Sequence, residues 1–119
     1  MFVKVQKRER RRSADNLGDL LTFQLVEARR VDGKPRQRVV AYLGAIRSNM
    51  ATSDIPNHRI GFWLRVEAVL DELELDASER GKIEAKIAER APYAAPGDEW
   101  SMGQIMAYNE ANGKFRPLR

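Results

Sequence analysis

The sequence predicts an α+β fold, a three-stranded antiparallel sheet followed by two or three α-helices packed on it. Three observations predict it. Leu20–Gly44 reads as two β-runs folded back on each other at Asp32-Gly33. Asp-Gly between strand-like residues is a strong hairpin signal, because both central positions of a type I′ turn need φ > 0. Met1–Arg8 alternates with a period of two, which adds a third strand and gives the hairpin enough partners to be stable. Beyond Asn57 the apolar period changes to three and four, the spacing of amphipathic helices.

The 119 residues suit one small domain, and 43% hydrophobic residues can fill one core. Net charge is +4, with an uneven distribution. Residues 1–50 carry 12 Lys/Arg against 5 Asp/Glu, and residues 51–119 carry 9 against 12. The positive excess lies in the β-rich half, which points to one polyanion-facing region. The chain has no cysteine, so disulfides and thiolate metal sites are excluded. No apolar run approaches the roughly 18 residues of a membrane span, and the N-terminus lacks signal-peptide order. A soluble, cytoplasmic protein is expected.

In the first strand, Val3, Val5 and Lys7 share one face; Phe2, Lys4, Gln6 and Arg8 share the other. A basic run follows at Arg8–Arg12, then a loop marked by Ser13, Asp15, Asn16, Gly18 and Asp19. The hairpin comes next. Thr22, Phe23, Val26 and Val31 supply β character before the turn, and Val39, Val40 and Tyr42 supply it after. Arg29, Arg30, Lys34, Arg36 and Arg38 crowd the reversal, with Glu27 and Asp32 nearby. A two-residue loop would pair Phe23 with Tyr42, Leu25 with Val40 and Glu27 with Arg38. A three-residue loop would set Arg30 against Arg36, which like charge disfavours, so the first register is preferred. It still leaves Arg29 facing Arg36. Clustered arginine carries a standing electrostatic cost that an anion relieves, although basic tips also guard sheet edges against aggregation.

Three stretches resemble a known family: FVKVQKR at Phe2–Arg8, TFQLVE at Thr22–Glu27, and DGKPRQRVVAYLG at Asp32–Gly44. In this order and spacing they are similar to the N-terminal β-region of DDE transposases of the insertion-sequence families related to IS4. The resemblance covers about residues 1–45. It implies a DNA-contacting part that precedes a catalytic core. It carries over Leu25, Val26, Glu27, Arg36, Gln37, Arg38 and Gly44. After Gly44 the chain departs from the pattern, and 119 residues leave no room for an RNase-H-like domain with three metal-binding carboxylates. The resemblance therefore implies binding and not transposition.

Ala45–Asn57 reads as a linker, with Asp54 or Asn57 able to cap the next helix and Pro56 tolerated in its first turn. His58–Glu74 is the main amphipathic helix, its stripe formed by Ile60, Trp63, Leu64, Val66, Leu70 and Leu73. Trp63 and Phe62 are expected in the core. Asp76–Ala91 is a second helix, with Asp76 and Glu79 at capping-box spacing. Arg80, Lys82, Lys86 and Arg90 make a helix-turn-helix reader conceivable, but interspersed Glu79, Glu84 and Glu89 rank it below the hairpin. Pro92–Gly97 is a break. Trp100–Asn112 is a short third helix, capped by Asp98 or Ser101, with an apolar ridge of Met102, Ile105 and Met106. The expected partition within 1–119 is a basic β-part at 1–45, a helical hairpin at 54–92, a short helix at 98–112 and a basic tail at 113–119.

Catalysis finds little support. The chain has one histidine, His58, no Gly-rich phosphate loop and no metal-ligand spacing. No cofactor or metal is expected. The function expected is non-catalytic DNA binding by a regulator or accessory factor of a mobile element. Its candidate residues are Lys7, Arg8, Arg10, Arg11, Arg12, Arg29, Arg30, Lys34, Arg36 and Arg38. Two other readings fit the same charges: a phage- or plasmid-type module that inhibits a host nucleoprotein complex, and an RNA-binding protein. The C-terminal helix offers a surface for a protein partner or a homodimer.

Overall fold

The computed structural model describes residues 1–8 and 18–112. Three strands, β1 (Phe2–Arg8), β2 (Leu20–Val31) and β3 (Lys34–Arg47), form one antiparallel sheet in the order β1-β2-β3. Four helices follow: α1 (Ser48–Ala51), α2 (Asn57–Glu72), α3 (Ala77–Ala88) and α4 (Met102–Ala111). This is the α+β architecture the sequence predicts.

The turn has the predicted chemistry. Asp32 and Gly33 adopt φ of 52° and 75°, so the two-residue loop pairs Val31 with Lys34, Arg29 with Arg36 and Glu27 with Arg38. Further from the turn the expected register fails. Shifts at Leu25/Val26 and Phe23/Gln24 place Leu25 opposite Ala41 and Phe23 opposite Gly44. The expected Phe23–Tyr42 pair is therefore not made. Phe23 instead meets Phe62 of α2 at 5.1 Å between ring centroids. Each shift gives β3 one extra residue, which bends and twists the strand. Gly44, with φ of 152°, sits where a Cβ would lie 3.4 Å from the Phe62 ring and 3.7 Å from Arg65 Cδ. The bent strand and the glycine together let α2 lie close on the sheet.

Leu21, Phe23, Leu25, Leu43 and Ile46 of the sheet pack on Phe62, Trp63, Val66 and Leu70 of α2, and on Ile83 and Ile87 of α3. Trp63 is core, as expected, and its indole N–H donates to the carbonyls of Ala91 and Pro92 at 3.0 and 3.1 Å. Leu64, expected on the buried stripe, is half exposed. Arg59 is buried; its Nε donates to Pro92 O at 2.7 Å, and a second N–H donates to Ser53 O. Burial lowers its pKa despite the favourable charge of Asp54.

Between β3 and α2 the expected linker is partly regular: β3 runs on to Arg47 and α1 adds one turn. Ser48 clasps the start of β2, its N–H donating to Asp19 O at 2.8 Å and its Oγ accepting from Asp19 N at 3.0 Å. Neither Asp54 nor Asn57 caps α2. Its N-cap is Pro56, and no side chain bonds there. Asn57 instead holds the backbone of Trp100 through both amide atoms, at 2.8 and 3.2 Å. Asp54 accepts from the Tyr108 hydroxyl, which raises the phenol's pKa. Asp76 caps α3, accepting from Glu79 N at 2.7 Å. Ser101, not Asp98, caps α4 in a full capping box with Gln104. α4 buries no residue fully, and Met102 stands 71% exposed, so its methionine ridge is not docked on the core. No helix among the described residues is long and apolar enough to cross a membrane.

Candidate nucleic-acid interface

The hairpin projects from the body. Every residue from Ala28 to Val39 is exposed, whereas Phe23 and Leu25 in the same strand are fully buried. The described chain extends 67 × 35 × 18 Å, with a radius of gyration of 17.5 Å. A compact chain of this length would have about 13.5 Å, so an element stands clear of the core.

The register sets the cations on the finger. Directly opposed residues of an antiparallel pair share a face. Arg29 and Arg36 therefore lie together, with Glu27 and Arg38 in the next equivalent pair toward the body. Both continue the side of β2 that buries Leu21, Phe23 and Leu25. Among the described residues Glu27 is the acidic partner in the cluster, with Oε1 3.5 Å from Arg29 and 3.6 Å from Arg38. Among the described residues, Arg30, Lys34 and Arg36 have no carboxylate within ion-pair distance. The finger is thus a set of five exposed cations offset by one shared carboxylate, in solvent where such pairs are weak.

The other sequence-predicted residues sit elsewhere. Lys7 pairs with Leu21 and Arg8 with Leu20, at the opposite end of β2 from the turn. Nine strand steps separate Leu20 from Arg29, about 30 Å. Lys7 and Arg8 therefore do not join the finger, and Lys7 is already bound to Asp19 at 3.3 Å. Arg10, Arg11 and Arg12, and the tail at 113–119, lie outside the described residues.

The helix-turn-helix contact Arg80 is also committed. Its guanidinium bonds Glu84 at 2.9 Å and Asp71 at 2.5 Å, and reaches Glu67 as well. These bonds raise its pKa. Arg80 pins α3 to α2 and is not available to a phosphate.

Sequence reasoning missed a second basic group. A cleft of about 400 Å3 at the base of the sheet is lined by Arg47, His58, Gly61 and Arg65, with Leu20, Phe62 and Met50 beneath. The Arg65 guanidinium lies 5.7 Å from the centre of the half-exposed Tyr42 ring, a cation–π distance. His58, Gly61 and Arg65 recur at three and four residues along α2. That stripe was the available signal: His58 and Arg65 flank a glycine on the helix face away from the apolar one.

One family model, IS1634 family transposase, N-terminal domain, matches residues 21–89, more than half of the chain. The match takes in the finger, the basal cleft apart from Leu20, and the α2–α3 pair. It runs past Gly44, where the chain was expected to leave the transposase pattern. No curated protein and no solved structure matches the chain.

Proposed function

Because the chain belongs to the IS1634 family of transposase N-terminal domains, we propose that it binds mobile-element DNA without catalysing a reaction on it, using the hairpin to neutralise backbone phosphates. The family supplies the mobile-element setting. The observation that carries the reading is the finger itself: Arg30, Lys34 and Arg36 exposed without an acidic partner among the described residues, beside Arg29 and Arg38 sharing Glu27. Exposed arginines at a strand reversal can follow a duplex backbone, and one or two can reach base edges in a groove. A regulator or accessory factor fits such a binding unit, as do a cytoplasmic location and an origin among IS4-related DDE transposases.

Fluorescence anisotropy on a labelled duplex tests this. Binding should weaken with salt, log K falling by about 0.9 per phosphate contact for each log unit. Duplex DNA should compete better than RNA of equal length. Unchanged affinity after Arg29, Arg30, Arg36 and Arg38 are all replaced by Ala would overturn the reading.

A further inference from the structure

We propose that the cleft between Arg47, His58 and Arg65 is a second phosphate-binding site, which holds the backbone of a duplex somewhat over half a turn to just under one turn away from the finger. The inference rests on the DNA-binding reading above and adds a site and a length requirement to it.

Four observations carry it. First, the cleft concentrates positive charge: Arg47 and Arg65 both line it, and among the described residues no Asp or Glu does and neither arginine has a carboxylate within ion-pair distance. Second, the cluster extends across the sheet. Arg8 pairs with Leu20 on one side and Arg47 pairs with it on the other, so Leu20 stands between two arginines. Third, Gly61 has open space where a Cβ would be, which leaves room for a ligand between the side chains of α2. Fourth, His58 is held in place. Its Nδ1 is 2.8 Å from Ser53 Oγ, an oxygen that also accepts from Ile55 N at 3.1 Å. His58 also lines the neighbouring cleft together with Asp54, which already accepts from Tyr108.

The spacing identifies the ligand. Arg65 packs on Gly44, which pairs with Phe23, six strand steps from Arg29 and on the same face; Arg47 pairs with Leu20, nine steps away, at the end of the strand where the alternation puts it on the other face. These intervals are about 20 and 30 Å. A duplex turn is about 34 Å, so one rigid duplex can reach both clusters.

The experiment compares two DNA lengths in the full chain. One is a 16-base-pair duplex, about 54 Å long; the other is a loop-closed stem of 5 base pairs, about 17 Å. On the long duplex, Arg47→Ala with Arg65→Ala should weaken binding about tenfold or more and reduce the salt slope by about one to two. On the short stem it should change neither. Arg47→Lys with Arg65→Lys should restore most of the slope, and thermal melting should show all variants folded. His58 is the single histidine, so its imidazole NMR signal should move when the long duplex binds and stay still with the stem. A long-duplex titration in which the Ala pair keeps affinity and slope, while the finger variant loses binding, overturns the cleft and leaves the finger standing. Equal losses on both lengths overturn the two-point geometry. A wild-type chain that binds neither DNA overturns both readings.

Discussion

The two halves of this protein use arginine in opposite ways. In the helical half, Arg80 lies among Glu67, Asp71 and Glu84, and its charge holds two helices together. In the hairpin, Arg29 and Arg38 share Glu27, and among the described residues Arg30, Lys34 and Arg36 have no carboxylate within ion-pair distance. The first arrangement stabilises the fold and leaves little charge for a ligand. The second contributes little to the fold and presents its charge to solvent. Composition alone does not separate them. Residues 51–119 contain nine Lys/Arg, but three of their acids, Glu67, Asp71 and Glu84, converge on Arg80.

Substitutions can test that division. The largest stability loss is expected from Trp63→Ala, which empties the centre of the core and removes the indole donor to the Ala91 and Pro92 carbonyls. A loss of about 3–5 kcal/mol in a denaturant titration is expected. An unaltered midpoint would mean that α2 does not organise the fold. Arg80→Ala should cost less, about 1–2 kcal/mol, since its partly exposed ion pairs are each worth a fraction of that. Affinity for DNA at a temperature where the variant is folded should not change. A drop in affinity would place Arg80 in the interface and erase the contrast.

Gly44→Val should destabilise by about 1–3 kcal/mol, because φ of 152° and the contact with Phe62 both oppose a side chain. Its thermal melt reads this directly. Smallest is Glu74→Gly. Glu74 follows the end of α2 with φ of 51°, a left-handed conformation glycine takes freely. A gain of about 0.5–1 kcal/mol is expected in the same melt.

Local chemistry made much of the fold legible. Asp32-Gly33 announced the turn, Asp76 with Glu79 announced the cap of α3, and the apolar period of residues 60–70 announced α2. The register beyond Leu25 was not legible, because the two bulges of β3 answer to α2 packing on Gly44, a tertiary demand. The finger could be read because its charges are consecutive along the chain. The cleft could not, because Arg47, His58 and Arg65 come from a strand end and one helix face that only folding brings together. Arg80 looked free for a related reason: Glu67 and Asp71 are on the preceding helix, at distances in sequence that no local motif connects.

Salt dependence of duplex binding measures the central claim most directly. Wild type, the Arg29, Arg30, Arg36 and Arg38 to Ala variant, and Arg80→Ala are titrated with one labelled duplex at several salt concentrations, at a temperature where all are folded. The expected result is that Arg80→Ala overlays wild type. The hairpin variant should bind at least 100-fold more weakly, with a slope shallower by about 0.9 for each phosphate it no longer neutralises. Equal slopes and affinities for wild type and the hairpin variant would contradict the account.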